Sequence, residues 1–151
     1  MKKLSIVYHS QSKTTAKLAD YVYSGSKKEA DVSVDLILAS DANAETLLSS
    51  DGIIFGTPEN FGYMSGALKD FFDRTFYQVE DKQLNIPYCI FVSAGNDGQG
   101  AVSSIDRIVK GYPLNKIAEP LIISAKDIEQ ERRRCEDFGH NMAAGLALSI
   151  F

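Results

Sequence analysis

Five short apolar runs alternate along the chain with segments of helical periodicity, and this alternation constrains the fold more than any other feature. The runs cover Leu4 to Tyr8, Val32 to Leu38, Gly52 to Phe55, Tyr88 to Val92 and Leu121 to Ile123, the last reaching back at most to Ile117. The first, third and fourth runs are almost continuously apolar, which is typical of parallel strands buried on both faces. The pattern predicts an α/β fold, a doubly wound parallel sheet with helices on both faces.

Helices are expected between the runs, and the longest follows the fifth run. From about Asp127 to Ser149, one helix face collects the apolar residues Ile128, Cys135, Phe138, Met142 and Leu146. The 151 residues contain no linker, repeat or low-complexity segment, and about 150 residues is a usual size for one domain. A single domain over residues 1–151 is therefore expected.

Charge and composition disfavour several classes of function. The net charge is −4, and the longest run of basic residues, 132–134, is flanked by acids, so nucleic-acid binding is not expected. No apolar stretch approaches the roughly 20 residues of a membrane span, and the N-terminus has the pattern of a strand and not of a signal peptide. Cys89 and Cys135 lie 46 positions apart without metal-ligand spacing. We expect two core thiols, no metal site and a cytoplasmic location.

The loop after the first run has the composition of an anion site. Ligands of open parallel sheets bind at the carboxyl ends of the strands. This loop leads into a helix with the residues Ser10, Gln11, Ser12, Lys13, Thr14 and Thr15. Hydroxyls and N–H groups at a helix N-terminus favour phosphate, and Lys13 adds a positive charge. The alternative is an ordinary helix cap with hydroxyls facing solvent. The loop matches neither a Walker A motif nor a GxGxxG turn.

The loops after the third and fourth runs are also unusual. The segment from Gly56 to Gly66 combines glycines, aromatics and a proline, which suits a flat heteroaromatic ring held by stacking and backbone hydrogen bonds. The alternative is that Phe61 and Tyr63 only cover the edge of the sheet. The segment from Ser93 to Gly100 contains three glycines, which allow close approach of a ligand to the backbone. A flexible turn is the alternative there.

Together the three loops resemble those of the flavodoxin-like superfamily of FMN-binding proteins. The first is similar to the flavodoxin phosphate loop, with Lys13 where flavodoxins usually carry glycine. The stretch from Gly56 to Thr75 is similar to the flavin loop and following helix of the WrbA-type quinone oxidoreductases and of the NADPH-dependent FMN reductases. The similarity is clear over roughly residues 3–76 and weaker over residues 88–150.

The resemblance implies a flavodoxin-like three-layer sandwich, a five-stranded parallel sheet of order 2-1-3-4-5, and a noncovalently bound FMN. By position, the implied phosphate residues are Ser10, Gln11, Ser12, Lys13, Thr14 and Thr15. The implied isoalloxazine residues are Thr57, Pro58, Glu59, Asn60, Phe61 and Gly62. The other side of the ring and the ribityl chain would meet Ser93, Ala94, Gly95, Asn96, Asp97 and Gly98. No catalytic side chain is implied, since the flavin carries the chemistry.

Departures from the family pattern bear on the role. The insertions that help build the WrbA tetramer are missing, which leaves the oligomeric state open, with a homodimer the commonest soluble assembly. The chain has no Trp, and its third loop has no aromatic residue, so one face of the ring would stay open for nicotinamide or quinone. This favours an oxidoreductase using NAD(P)H and a quinone-like acceptor. The alternative is a flavodoxin-type carrier that passes electrons between redox partner proteins without NAD(P)H activity of its own.

Overall fold

The apolar runs form the strands of one parallel sheet in a computed structural model that describes residues 1–151. The strands are β1 (Lys2–Tyr8), β2 (Val32–Leu38), β3 (Gly52–Pro58), β4 (Pro87–Ala94), β5 (Asn115–Lys116) and β6 (Leu121–Ser124). The sheet order is β2-β1-β3-β4-β5, and β6 also pairs with β4. The predicted order 2-1-3-4-5 is confirmed.

Five helices cover the two faces of the sheet. They are α1 (Thr14–Ser26), α2 (Ala44–Leu48), α3 (Gly66–Val79), α4 (Gln99–Val109) and α5 (Arg132–Ala147). Helices α2, α3 and α4 pack on one face, and α1 and α5 pack on the other. The sheet therefore has two hydrophobic cores, the first under α2, α3 and α4 and the second under α1 and α5. Successive residues of β3 point to opposite faces, so that Ile53 and Phe55 lie in the first core and Ile54 lies in the second. Burial on both faces explains why β3 and β4 are almost continuously apolar.

The fifth position of the sheet differs from the single strand expected around residues 117–123. It is divided into β5, which pairs with the start of β4, and β6, which pairs with its end. Between them the Ile117 N–H still donates to the Tyr88 carbonyl at 3.1 Å. Two residues of β4, 89–90, face the four residues 117–120, so the pairing register shifts and regular pairing does not run through the segment. Pro120, immediately before β6, also has no N–H to donate.

The last helix is shorter than its apolar pattern indicated. We expected it to begin near Asp127, but α5 begins at Arg132, after a 3₁₀ turn over residues 125–127 and a further turn. Ile128 is nevertheless buried, which is why the apolar pattern extended the helix too far. The early turn brings Glu129 against Lys17 of α1, where the two side chains form an ion pair.

Helices α1 and α5 approach each other closely enough for backbone to meet backbone. A Cβ atom added to Gly139 would lie 2.0 Å from the Val22 carbonyl oxygen, and one added to Gly25 would lie 1.8 Å from the Glu136 carbonyl oxygen. Neither position can carry a side chain without moving a helix. The two glycines therefore set the separation of the helices on this face.

Both cysteine thiols lie inside the second core. Cys89 lies in β4 and Cys135 in α5, and both are free and buried. Burial raises the pKa of the Cys89 thiol. Burial, with a smaller contribution from Glu131, raises the pKa of the Cys135 thiol to about 11. Both groups therefore stay protonated near neutral pH and pack as small apolar residues.

Candidate functional site

The loops after β1, β3 and β4 meet at the carboxyl edge of the sheet, where they enclose a cavity of about 340 Å³ that we call the edge cleft. Its lining residues are Gln11, Ser12, Thr14, Thr15, Pro58, Glu59, Asn60, Ser93, Ala94, Gly95 and Ala125. All three loops identified in the sequence contribute to it. The volume lies at the lower end of the range for small-molecule sites, about 300–1,000 Å³.

Donor groups are concentrated in the first loop, where α1 begins without a side-chain cap from Lys13. Of the backbone N–H groups from Gln11 to Ala16, only two donate within the protein, that of Thr14 to the Ser12 carbonyl and that of Ala16 to the Ser10 hydroxyl. The remaining N–H groups are free to donate to a bound anion. The helix dipole adds about half a positive charge at this end.

Two hydrogen bonds tie the first loop to the other two. On the cleft floor, the hydroxyls of Thr15 and Ser93 lie 2.6 Å apart, and both residues are buried. At the mouth, the Asn60 amide donates to the Gln11 side-chain oxygen at 3.3 Å. The first loop is therefore hydrogen-bonded to the third loop at the bottom of the cleft and to the second loop at its mouth.

The second loop folds into a small hairpin. The Asn60 and Tyr63 backbones exchange hydrogen bonds of 2.9 and 3.0 Å. Phe61 and Gly62 form the turn between them with φ of 54° and 69°, the positive values that type I′ turns require. The Phe61 side chain is completely exposed at the tip. Phe61 therefore does not cover the edge of the sheet, and that alternative interpretation of the loop is wrong for this residue.

Thr57 is turned inward. Its side chain is fully buried, and its hydroxyl donates to the Pro58 carbonyl and accepts the Ser65 N–H at 2.9 Å. Ser65 in turn caps α3, accepting the Leu68 N–H. The structure thus places Thr57 behind the cleft, where it supports the loop and the start of α3.

Glu59 links the second loop to the helix that follows the third. Its carboxylate accepts the N–H groups of Gly100 and Ala101 at 3.1 and 3.4 Å, and its own N–H donates to the Ser93 carbonyl at 3.0 Å. A carboxylate is favourable at the N-terminus of α4 because it complements the helix dipole. Glu59 therefore joins the two loops as well as lining the cleft.

The remaining predicted residues lie around the cleft and not in its wall. The half-buried Ser10 accepts the Ala16 N–H across the first loop, and Lys13 lines a neighbouring cavity. Gly62 lies at the hairpin tip against Gly100, where an added Cβ would be 2.0 Å from the Gly62 oxygen. Asn96 and Asp97 are exposed, and the Asp97 carboxylate accepts the Gln99 N–H. Gly98 is buried and has a φ of 72°.

Sequence reasoning missed two contributors to this edge. Ala125 lines the cleft because it follows β6, whose carboxyl end lies at the same edge as the others. Applying the carboxyl-end rule to the fifth run would have found it. Gly100 allows the start of α4 to lie against the hairpin of the second loop. The only sequence signal for this contact is that Gly100 is one of three glycines in the third loop.

Two other features that bear on function are absent from the structure. No group of three or more His, Cys, Asp or Glu side chains is arranged to hold a metal ion. None of the helices has the length and apolar character needed to cross a membrane.

Comparison with known proteins gives matches of two kinds. The family model for NADPH-dependent FMN reductases matches residues 41–112, which include the second and third loops. A flavodoxin from Aquifex aeolicus is 26% identical over 99% of this chain and 90% of that protein. An NAD(P)H dehydrogenase (quinone) from Acidithiobacillus ferrooxidans is 28% identical over a match that covers 50% of this chain and 48% of that relative.

A solved structure matches the whole chain. The WrbA-like flavodoxin from Agrobacterium tumefaciens superposes with a TM-score of 0.78 over 99% of both chains, at 16% identity. At that identity the match supports the fold. The two sequence relatives are different kinds of redox protein. The match to the flavodoxin covers nearly the whole chain, and the match to the quinone dehydrogenase covers half of it.

Proposed function

Because the chain belongs to the flavodoxin-like superfamily, we propose that it binds one FMN noncovalently in the edge cleft and acts as an NAD(P)H-dependent oxidoreductase that reduces a quinone or similar small acceptor. The observation that carries the proposal is the cleft itself. It joins a loop of free N–H donors to two loops that can border a flat ring.

The first loop suits the phosphate of FMN. The free N–H groups of Gln11, Ser12, Lys13 and Thr15 and the hydroxyls around them form a donor set of the kind that phosphate accepts at helix N-termini. The ammonium group of Lys13 adds charge close by. A phosphate dianion bound here would satisfy backbone donors that have no other acceptor in the protein.

The other two loops suit the ring. Pro58 and Asn60 of the second loop and Ala94 and Gly95 of the third loop line the cleft with small side chains and accessible backbone. FMN supplies hydride and electron-transfer chemistry, while the protein holds and orients it. No aromatic side chain lines the cleft, so one ring face would stay accessible to nicotinamide or a quinone. That openness favours an enzyme over a carrier.

A flavodoxin-type carrier is the second candidate, and one observation favours it. The Aquifex aeolicus flavodoxin matches nearly the whole chain, whereas the match to the NAD(P)H dehydrogenase (quinone) covers only half of it. In this role the cleft would bind FMN through the same residues. The difference would lie in the electron donor, which would be a protein and not a nucleotide.

The visible spectrum of the purified protein, followed by anaerobic titration with NADPH and NADH, tests both candidates. For the enzyme we expect a yellow protein whose flavin absorbance bleaches within seconds, without one-electron-reduced flavin. A yellow protein inert to both nucleotides, which accumulates one-electron-reduced flavin with dithionite, would make it a carrier. A colourless protein that takes up no added FMN would contradict both.

Glu59→Ala is expected to weaken FMN binding by about 10-fold. The change removes the acceptor of two N–H groups at the start of α4, and with it the link between α4 and the second loop that borders the cleft. A hydrogen bond to a charged group is worth about 1.5–3 kcal/mol. Glu59→Gln keeps a carbonyl oxygen that can accept, so we expect at most about a 3-fold loss. The measurement is the FMN dissociation constant from fluorescence quenching.

Asp97→Ala is the matched control for Glu59→Ala. The Asp97 carboxylate also accepts an N–H group at the start of α4, that of Gln99 at 3.0 Å, but it does not join the helix to the second loop. If both alanine variants weaken FMN binding equally, helix capping alone explains the effect. The proposed link between the two loops would then be wrong.

A further inference from the structure

An apolar cavity of about 160 Å³ lies against the second core, toward the amino end of β4. We call it the α5 chamber. Its apolar lining residues are Cys89, Ile117, Ala118, Phe138, Met142 and Phe151. Asn141, which is exposed, is its single polar lining residue. The chamber shares no residue with the edge cleft, and Ser93 of the cleft lies four residues beyond Cys89, roughly 13 Å along the strand.

The outer wall of the chamber is the ring of Phe151, which the end of α5 holds in place. The chain turns back at Ser149, whose φ is 53°. The Ile150 N–H donates to the Gly145 carbonyl at 2.9 Å, and the Ser149 N–H donates to the Leu146 carbonyl at 3.1 Å. These are the two hydrogen bonds of a Schellman motif. The turn lays the Phe151 ring on Gly145, where an added Cβ would lie 2.0 Å from a ring carbon. The chamber is therefore formed without a ligand.

The size and the side chains of the chamber suit a single aromatic ring. An apolar protein cavity of about 150 Å³ is large enough to hold benzene. Phe138 and Phe151 offer rings for offset or edge-to-face contacts with an aromatic guest. The Met142 thioether can contact the edge of such a ring, which is a favourable sulfur–aromatic arrangement. A saturated guest of the same size would bury its surface but would gain neither contact.

The rim of the chamber favours a ligand without negative charge. Beside Asn141 the chamber adjoins an open groove lined also by Glu119, Asp137 and Arg134. Arg134 has an acidic partner, Glu131, at 3.9 Å. Glu119 and Asp137 take part in none of the ion pairs of the structure. An anionic ligand would therefore meet two unpaired carboxylates at the rim, and a charge inside the chamber would lose its hydration.

We propose that the α5 chamber is a second small-molecule site, which binds uncharged aromatic compounds of one ring. The ring lies against Phe138, Met142 and Phe151, and a polar substituent such as a hydroxyl reaches the Asn141 amide. Binding at this site uses no group of the edge cleft and needs no flavin. The inference is therefore independent of the proposed function.

Methionine methyl groups labelled with carbon-13 provide a local NMR readout, because the chain has only 3 methionines. Met142 lines the chamber, Met64 lies in the first core, and Met1 is exposed. Titration with phenol should shift the Met142 methyl signal and leave the other two in place, with a dissociation constant of about 1 mM or lower. Cyclohexanol should bind about 5-fold more weakly than phenol, since its saturated ring lacks the aromatic contacts. Benzoate should also bind more weakly, because of its charge.

Ala118→Leu should abolish the response of Met142 to phenol, because the larger side chain fills the chamber. Ala144→Leu is the matched control, since Ala144 is a half-buried alanine of α5 that lines no cavity. It should leave phenol binding unchanged. Phe151→Ala should weaken phenol binding by about 5-fold through the loss of a ring contact and of the outer wall. Because Phe151 is exposed, this variant tests the chamber even if Ala118→Leu does not fold.

The inference would be overturned by the absence of a saturable Met142 response at phenol concentrations well above about 1 mM. Equal affinity for phenol and cyclohexanol, or for phenol and benzoate, would contradict the assigned ligand class. A response that survives both Ala118→Leu and Phe151→Ala, or that appears at Met64 in place of Met142, would place the ligand elsewhere and overturn the site.

Repeating the titration with FMN-free and FMN-loaded protein separates this inference from the proposed function. We expect the same phenol affinity in both forms. Binding of phenol only to the FMN-loaded protein would place it on the flavin and overturn the inference. A protein that takes up FMN but shows no Met142 response keeps its flavin site and loses the proposed chamber site. A protein that takes up no FMN, yet shows the Met142 response, keeps the chamber site while the proposed function fails.

Discussion

Replacing Ser10 and Thr15 together by alanine is expected to weaken FMN binding by about 100-fold or more, since each hydrogen bond to a charged group is worth about 1.5–3 kcal/mol. The Ser10 hydroxyl accepts the Ala16 N–H at 3.0 Å, which leaves its proton free for a phosphate oxygen. Thr15 lines the cleft and shares its hydroxyl with Ser93. Equilibrium titration of FMN-free protein with FMN, followed by fluorescence, measures the change.

Two further variants make the result specific. Ser24→Ala combined with Ser103→Ala removes two exposed hydroxyls from α1 and α4, outside the cleft, and should leave the dissociation constant unchanged. Thr15→Ser in the Ser10→Ala background restores the hydroxyl that faces Ser93 and should recover part of the affinity. Unchanged FMN affinity in the double alanine variant would refute the assignment of the phosphate loop.

Gly139→Ala is expected to cost about 3 kcal/mol of unfolding free energy, at the upper end of ordinary overpacking. The new Cβ would lie 2.0 Å from the Val22 carbonyl oxygen and 2.7 Å from the Ser26 hydroxyl. Because the nearest atom belongs to the backbone of α1, no side-chain rotation relieves the contact. The gain in helix propensity from Gly to Ala, about 1 kcal/mol, opposes the loss without cancelling it.

Thermal and urea denaturation measure this effect. A domain of this size loses roughly 2–4 °C in Tm per kcal/mol, so we expect a decrease of about 6–12 °C. Gly66→Ala is the control, since Gly66 begins α3 and a Cβ added there would meet no atom within 4 Å. It should be neutral or slightly stabilising. A Gly139→Ala variant as stable as the parent would show that α1 and α5 are not held by backbone contact.

The sheet could be predicted because burial on both faces leaves a plain signal. Ile53, Ile54 and Phe55 are all fully buried, and consecutive apolar residues of this kind are characteristic of an inner parallel strand. The resemblance to the flavodoxin-like superfamily then supplied the strand order, which the structure confirms. Neither the division of the fifth strand nor the start of α5 could be predicted in this way. Both depend on tertiary contacts, and apolar periodicity does not record them.

The location of the site could also be predicted, but not its internal contacts. The three loops meet because the carboxyl ends of parallel strands share one edge. The inward turn of Thr57 and the reach of Glu59 to Gly100 depend on how the hairpin packs against α3 and α4. Since a hydroxyl or a carboxylate in a loop can face a ligand or its own backbone, residue type alone does not decide between them.

The break before Pro120 limits how the sheet can grow. A long, regular outer strand would offer a row of unpaired N–H and C=O groups on which another chain could add, as in amyloid assembly. Here that outer position consists of pieces of two and four residues, with a proline between them. At the opposite edge, β2 carries Asp35, whose carboxylate pairs with Lys3. Irregularity at one border and a charged side chain at the other are both features that disfavour the addition of a further strand.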